Sequence, residues 1–145
     1  MPAGPDGLEA ALDRIASEAQ AAVEAGASFL VLSDRAFGPE QVPVSPLLAI
    51  GCVHHHLVRL RMRSRAALFV DSGEPRELHQ YCTLVGFGAD GICPYLAFEV
   101  LFALQRDGGE LAAKARKDVA AAYVKSISGG ILKVGCTGHW FAPRN

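Results

Sequence analysis

Ala66-Ala67-Leu68-Phe69-Val70-Asp71-Ser72-Gly73-Glu74-Pro75 is the stretch that decides the fold. Five apolar residues are followed at Asp71 by a polar turn that contains glycine and proline. A short run that is apolar at every position is typical of a strand buried on both faces of a parallel sheet. Acidic residues and proline are favoured in the first turn of a helix. The stretch therefore predicts a buried strand and then a helix that begins near Ser72 and continues to about Leu84.

The same pattern occurs on both sides of this stretch. Phe29-Leu30-Val31-Leu32 is a second continuously apolar run, and Ser45-Pro46 opens a helix predicted to reach Arg59. Asp90-Gly91-Ile92 predicts a weaker strand, followed by a helix from Tyr95 to about Arg106. Repeated strand–turn–helix units indicate an α/β fold with a parallel sheet.

Two further helices are predicted at the ends of the chain, Leu8 to Ala25 and Leu111 to Ser126, from apolar residues at helical spacing. A closed barrel of βα units needs eight units and about 250 residues, and only about three units are present. The fold is therefore expected to be a small open sheet or a partial, reduced TIM-barrel-like body. We predict a disordered lead at 1–7, one α/β domain at 8–134 and a divergent, irregular tail at 135–145.

The composition of the 145 residues excludes several classes of protein. Half of the residues are apolar and the net charge is −1, which gives no electrostatic reason to expect nucleic acid or an anionic membrane as a partner. The four cysteines form no Cys-x-x-Cys pair, so zinc ribbons and iron–sulfur ligand runs are not indicated. The first residues do not resemble a secretory signal, and no apolar run is long enough to span a bilayer. A cytoplasmic location, or the interior of an organelle, is expected.

Polar residues follow each predicted strand, and in parallel sheets ligands usually bind outside the carboxyl ends of the strands. The candidate residues for a ligand-binding or interdomain edge are Ser33, Asp34, Arg35, Asp71, Ser72, Glu74, Arg76 and Tyr95. Such a cluster can hold an anion or a carboxylate, with backbone N–H groups offered by the helix at Ser72. The alternative is that Asp71 and Ser72 cap a helix and that Asp34 pairs with Arg35 at the surface.

Other motifs predict no chemistry. His54, His55 and His56 point about 100° apart on a helix and cannot all bind one metal ion. The arginines between Arg59 and Arg65 are interpreted as a solvated helix end. Gly86-Phe87-Gly88-Ala89-Asp90-Gly91 has the glycine spacing of a dinucleotide fingerprint, but it precedes a strand instead of following one. No nucleophile elbow is present, so no catalytic, cofactor-binding or metal-binding residue is predicted.

Three blocks in a fixed order show a resemblance to a known family: Val53 to Arg59, Val70 to His79 and Pro94 to Glu99. Together with Val31 to Arg35 and Gly130 to Val134, they resemble the central domain of the large subunit of glutamate synthase. The likeness runs from about residue 12 to residue 134. It implies an α/β domain similar to a reduced version of the flavin-binding barrel that follows it in the family.

The resemblance also implies where the chemistry of the family is located. Glutamine is hydrolysed by a cysteine in an amidotransferase domain, and FMN beside an iron–sulfur cluster acts in another domain. The resemblance thus implies that this segment is a spacer that contacts the amidotransferase and FMN-binding domains and helps to form the ammonia passage, with no cofactor of its own. A stand-alone α/β binding module with a small-molecule or anion pocket at the strand ends is the alternative.

Departures from the family pattern are local until the end of the segment. Pro75 replaces an alanine, Gln80 replaces a histidine, and Cys93 replaces the asparagine of Asn-Pro-Tyr. After Val134 the family continues with Met-Ser-Lys-Met-Gly-Ile-Ser-Thr, whereas this sequence continues with Gly135-Cys136-Thr137-Gly138-His139-Trp140.

Overall fold

The computed structural model describes residues 5–39, 42–108 and 111–137. In chain order the elements are α1 (Pro5–Glu24), β1 (Phe29–Ser33), α2 (Pro46–Arg59), β2 (Ala67–Asp71), α3 (Leu78–Gly86), β3 (Gly91–Cys93), α4 (Tyr95–Arg106) and α5 (Arg116–Thr137). The three strands form one parallel sheet in the order β1-β2-β3. This confirms the α/β class and all three predicted strands. Within the described residues, every helix is too short or too polar to reach across a bilayer.

The chain divides into two compact units. The first contains residues 1–72 and 83–93, and the second contains residues 73–82 and 94–145. The first unit therefore holds the whole sheet together with α1, α2 and the end of α3. That residues 8–134 form a single α/β domain stays a prediction.

The core of the first unit lies between one face of the sheet and its helices. Leu30 of β1 pairs in register with Leu68 of β2, and Val70 pairs with Ile92 of β3. These residues pack against apolar side chains of the helices and connecting turns, namely Ala19, Val23, Ile50, Val53, Leu57, Met62, Ala66, Leu84 and Ala89. Burial of this apolar surface is the main force that holds the βα units together.

The opposite face of β1 is exposed, which corrects the prediction of a strand buried on both faces. The side chains of Phe29 and Val31 are 70% and 63% exposed, whereas Leu30 is 8% exposed. Alternate residues of a strand point to opposite faces of the sheet. The continuous apolar run predicted the strand correctly, but it did not predict that one face of β1 is left exposed by the described residues.

The helix predicted to begin at Ser72 begins six residues later, at Leu78. Pro75 disfavours helical dihedrals at the residue before it, which keeps the segment after β2 extended or turned. The side chain of Gln80 then accepts hydrogen bonds from the backbone N–H groups of Arg76 (2.7 Å) and Glu77 (3.0 Å). A glutamine at the third helical position that reaches back to the N-cap N–H is half of a capping box. Helical N–H groups are therefore not available at Ser72.

The second unit contains a tyrosine pair beside α5. Tyr81 is 3% exposed, and its hydroxyl donates to the carbonyl oxygen of Pro75 at 3.1 Å. The hydroxyl oxygens of Tyr81 and Tyr123 are 2.6 Å apart. Each hydroxyl has one proton. Because Tyr81 Oη lies closer to the Pro75 carbonyl (3.1 Å) than Tyr123 Oη lies to the Arg76 carbonyl (3.4 Å), we assign the Tyr81 proton to Pro75 and the Tyr123 proton to Tyr81. Phe98 of α4 packs edge-on against the Tyr123 ring, with the centroids 5.7 Å apart.

The ends of the chain are more regular than the sequence indicated. Helix α1 begins at Pro5, so residues 5–7 of the expected disordered lead are helical, and residues 1–4 lie outside the described residues. Helix α5 begins at Arg116, passes through Gly129-Gly130 and ends at Thr137, beyond the predicted end at Ser126. Two glycines cost helix stability but do not forbid a helix. The irregular tail was thus wrong for residues 135–137, and 138–145 lie outside the description.

Candidate functional site

The carboxyl ends of β1 and β2 are joined by a network of polar side chains. Arg35 follows β1, and its guanidinium donates to both carboxylate oxygens of Asp71, Nε to Oδ2 at 2.6 Å and Nη2 to Oδ1 at 3.1 Å. Ser33 Oγ also donates to Asp71 Oδ2, at 2.9 Å. The Arg35 hydrogen bond holds the pKa of the Asp71 carboxyl below its usual range, against the opposite effect of burial. Asp71 is therefore ionised and fully engaged as an acceptor.

A second pair lies beside this network. Ser72 is fully buried, and its hydroxyl donates to Asp34 Oδ2 at 2.5 Å. The backbone also connects these turns, because the Asp34 N–H donates to the Asp71 carbonyl at 3.2 Å and the Ser72 N–H donates to the Cys93 carbonyl at 3.0 Å. The turns after all three strands are thus linked to each other. The structure brings Ser33, Asp34, Arg35, Asp71 and Ser72 together, as the parallel-sheet argument predicted.

Cys93 lies at the same sheet edge as Asp71, its register partner. Burial and the hydrogen bond to the Asp71 carboxylate raise the pKa of the Cys93 thiol. A thiol with a raised pKa is mostly protonated at neutral pH and is a weak nucleophile. The environment of Cys93 therefore does not favour covalent catalysis.

The remaining candidates, Glu74, Arg76 and Tyr95, belong to the second unit. Glu74 and Arg76 are exposed and Tyr95 is partly buried. The N–H of Arg76 donates to Gln80 Oε1 at 2.7 Å, and the Arg76 carbonyl oxygen lies 3.4 Å from Tyr123 Oη, whose proton is directed at Tyr81. Tyr95 lies over Gly73, where a Cβ atom would come within 3.0 Å of its hydroxyl. The role of these three residues at an edge stays a prediction.

An open groove of about 630 Å³ runs beside the strand ends in the first unit. The residues that line it come from α1, from β1, from residues 34–36 and 42–44, and from the start of α2. The residues that line it include Arg14, Ile15, Glu18, Ala19, Ala22, Leu30, Val31, Leu32, Ser33, Asp34, Val42, Pro43, Val44 and Pro46. Most of the lining residues are apolar, and the polar ones are Arg14, Glu18, Ser33 and Asp34.

Sequence reasoning missed a second polar cluster, centred on Arg63. This side chain is only 20% exposed and donates to His54 Nδ1 (3.1 Å), the Ala66 carbonyl (2.8 Å), the Gly88 carbonyl (2.9 Å) and Asp90 Oδ2 (2.7 Å). The interpretation of Arg63 as part of a solvated helix end was therefore wrong. The signal in the sequence was weak, since nothing local distinguishes Arg63 from Arg59 or Arg61.

This Arg63 cluster fixes the protonation state of His54. Arginine only donates, so His54 Nδ1 must accept and the ring is neutral with its proton on Nε2. Burial, with the nearby Arg63 and His55, lowers the pKa of His54 against the opposing charge of Asp90. Although burial alone raises the pKa of Asp90, the hydrogen bonds from the Leu68 N–H and Arg63 bring it below its usual range. The cluster ties α2 to the starts of β2 and β3.

The three histidines point to different neighbours, as their helical spacing predicts. His54 faces Arg63, while His56 Nε2 lies 2.9 Å from Gln20 Oε1 of α1. His55 is exposed and meets the edge of the His54 ring. In the described part of the chain, no three His, Cys, Asp or Glu side chains lie close enough to hold a metal ion. The described residues therefore do not fit an iron–sulfur cluster.

Comparison with known proteins identifies the family. The family described as "Glutamate synthase central domain" matches residues 2–137. The chain is 46% identical over 131 residues to "Glutamate synthase [NADH]" of Schizosaccharomyces pombe, which covers 90% of this chain and 6% of that protein. It is 39% identical over 127 residues to "Glutamate synthase [NADPH] large chain" of Bacillus subtilis, covering 88% of this chain and 8% of that protein.

A third relative carries a different electron donor in its name. The chain is 48% identical over 100 residues to "Ferredoxin-dependent glutamate synthase 2" of a Synechocystis strain, which covers 66% of this chain and 6% of that protein. The chain thus spans less than a tenth of the length of these relatives. Since the matched segment is common to proteins named for three donors, it does not identify the donor. The match over nearly the whole chain shows that this protein belongs to the glutamate synthase central-domain family.

Proposed function

We propose that this chain is the interdomain spacer of a glutamate synthase, the part that positions an amidotransferase domain and an FMN-binding domain and helps to form the passage for ammonia between them. The complete protein would make glutamate from glutamine and 2-oxoglutarate. FMN and an iron–sulfur cluster would belong to other domains, and this segment would hold neither. The proposed location is the cytoplasm or the interior of an organelle.

The observation that carries this proposal is the internal pairing at the strand carboxyl ends. Asp71 accepts from both Arg35 and Ser33, and Ser72 donates to Asp34. Side chains that bind one another hold the strand ends in fixed positions, whereas a catalytic pocket presents groups to a substrate. With a protonated thiol at Cys93, the edge has the chemistry of a scaffold. Its polar surface fits a wall beside which a small polar molecule passes.

The alternative, a stand-alone binding module with an anion pocket at this edge, is not favoured. Such a pocket requires a cation or helical N–H groups directed at the ligand. Arg35 is bound in bidentate fashion to Asp71, and α3 begins at Leu78 instead of Ser72. The match to proteins more than ten times as long is a second argument for the spacer.

The test is the coupling ratio of a complete synthase that carries this segment, measured as glutamine hydrolysed per 2-oxoglutarate consumed. We expect Asp71→Ala combined with Arg35→Ala to raise this ratio above unity, because disordered strand ends would let ammonia escape. Arg59→Ala, an exposed change on the same unit, is the control and should leave it at unity. Arg76→Ala tests the edge residue of the second unit in the same assay.

A ratio that stays at unity in the double variant, at unchanged thermal stability, would show that this edge holds strands together and does not guide ammonia. Added ammonium provides an internal check. If the variant lost only the passage, glutamate formation from external ammonium would match that of the parent enzyme.

A further inference from the structure

The unpaired edge of β1 is a second feature of the first unit that the spacer role does not use. The sheet order is β1-β2-β3, so β1 is bonded to β2 on one side, and among the described residues no strand pairs with its other side. Edge strands expose a row of N–H and C=O groups that readily accept another strand. Natural proteins usually blunt such an edge with charges, proline or a bulge. The sequence of β1, Phe29-Leu30-Val31-Leu32-Ser33, has none of these.

The backbone hydrogen bonds at the two ends of β1 show which of its groups face the open side. The Ala67 N–H donates to the Ser28 carbonyl at 2.9 Å, and the Asp34 N–H donates to the Asp71 carbonyl at 3.2 Å. In a parallel ladder, alternate residues of a strand bond to the same neighbour. Even-numbered residues therefore bond to β2, and the N–H and C=O groups of Phe29 and Val31 point away from it. Backbone groups of this kind require a partner when they are covered.

The surface next to β1 is concave and forms a groove. The groove of about 630 Å³ is lined by Leu30, Val31 and Leu32 of β1, by Ile15, Ala19 and Ala22 of α1 beside the charged Arg14 and Glu18, and by Val42, Pro43 and Val44. Its volume lies within the range of sites that enclose a ligand. The side chains of Val31 and Val42 are 63% and 73% exposed, so apolar surface lies open along its length.

We propose that this groove receives an extended, apolar segment from the remainder of the complete synthase polypeptide, which pairs with the free edge of β1 as a fourth strand. The inference rests on the proposed function in one respect, that the chain works as part of a longer protein. Strand addition of this kind takes its affinity from main-chain hydrogen bonds and its specificity from pockets for alternate side chains. The backbone groups of Phe29 and Val31 supply the main-chain hydrogen bonds, and the apolar residues that line the groove supply the pockets.

Two observations favour a segment of the same polypeptide over a second copy of this chain. Residues of α1 and residues 42–46 line the groove together with β1, so a second copy that paired through its own β1 would bring the same elements with it, whereas a single extended segment would not. The relatives also contain more than ten times the matched length, which leaves ample chain to supply the segment. The exposed faces of Phe29 and Val31 would then be shielded by the residues that flank the added strand.

Hydrogen exchange in the complete synthase, resolved to single amides, tests the proposal with an internal control. The amides of Leu30 and Leu32 face β2 and are protected in any case. If a fourth strand is present, the amides of Phe29 and Val31 should exchange within about tenfold of these two. If Phe29 and Val31 exchange more than a hundredfold faster than Leu30 and Leu32, the edge is free and the proposal fails.

A photo-cross-linker identifies the occupant in the same protein. Val42→benzoylphenylalanine places the reactive group on the groove wall, in a synthase assembled from a mixture of heavy and light isotopic subunits. Cross-links to a distant segment of the same subunit support the proposal, and cross-links to β1 or α1 of another subunit overturn it in favour of pairing between copies. Neither amide exchange nor cross-linking depends on ammonia coupling. A free β1 edge would therefore refute the fourth strand and leave the spacer proposal intact, and a coupling ratio at unity in the strand-end variant would leave the fourth-strand proposal intact.

Discussion

Replacement of Arg63 by alanine is the sharpest test of how the first unit is held together. The change removes four hydrogen bonds and leaves His54 Nδ1, the carbonyls of Ala66 and Gly88, and Asp90 without this donor. A hydrogen bond in a folded protein contributes about 1 kcal/mol to stability, so the loss of four corresponds to about 4 kcal/mol. The Asp90 side chain is 46% exposed, so solvent compensates part of this cost. We therefore expect a loss of about 3 kcal/mol.

The consequence appears locally, because Asp90 Oδ2 also accepts from the Leu68 N–H at 2.8 Å. A loss of about 3 kcal/mol corresponds to exchange about a hundredfold faster for the β2 amides, since about 1.4 kcal/mol is a factor of ten. Arg63→Lys keeps the positive charge but loses the planar guanidinium donors, so its β2 amide exchange rates should lie between those of the parent and of Arg63→Ala. The exposed Arg59→Ala should change little. Exchange at Leu68 in Arg63→Ala within threefold of that in Arg59→Ala would refute the reasoning.

Three further predictions concern single residues. The pKa of His54 in the folded chain is lowered below its ordinary value of 6.5. The stability that neutral His54 contributes is therefore complete above pH 6.5 and declines as the pH falls below 6.5. The thermal unfolding midpoint should thus be lower at about pH 5.5 than at about pH 7.5, and the difference should be smaller in His54→Gln. An equal drop in both proteins would remove His54 as the cause. Gly88→Ala should lower the free energy of unfolding by about 2 kcal/mol or more, because φ is +109° and the new Cβ would lie 2.1 Å from His54 Nδ1. Gly108→Ala is the control, since Gly108 has a φ of +97° with open space around it, and this change should cost only the backbone strain of about 1 kcal/mol. Equal midpoints for the two glycine variants would contradict this. Tyr81→Phe should destabilise the second unit by about 1 to 3 kcal/mol, since the Pro75 carbonyl loses its donor, and Tyr123→Phe should cost less; the reverse order in denaturant melts would contradict the assigned direction of the bond.

The regular elements were predictable because their signals are local. Helix α4 has the predicted bounds, and α2, begun by Pro46, ends at the predicted Arg59. The start of α3 was not predictable from the acidic turn alone, since the side chain of Gln80 provides the cap from within the helix. In the sequence, Gln80 differs from the family pattern, but nothing local marks it as a cap.

The placement of five of the eight candidate residues at one sheet edge was predictable, but their pairing was not. Parallel strands place Ser33, Asp34, Arg35, Asp71 and Ser72 at one edge by topology, which is a property of the sheet. Which carboxylate Arg35 contacts depends on side-chain geometry across two strands, and sequence spacing contains no information on it. The same limit explains why the Arg63 cluster was missed, because its partners are between 3 and 27 residues away in the chain.

The exposed side of β1 shows where composition misleads. An unbroken apolar run predicts a strand and predicts that both faces will be covered, and only the first holds within the described residues. Phe29 and Val31 are apolar at positions that the described part of the chain does not cover. Such a mismatch between sequence and burial is the signal that led to the proposed fourth strand.

The central claim, that this chain is a structural part of a glutamate synthase with no catalytic centre of its own, is tested most directly on the purified 145-residue chain. The measurement combines the visible absorbance of the protein with glutamate formation from 2-oxoglutarate, using glutamine or ammonium as the nitrogen source. The account predicts no flavin absorbance and no glutamate above the protein-free blank with either source. Stoichiometric FMN that stays with the chain through purification, or glutamate formed at a rate proportional to the chain concentration, would contradict it.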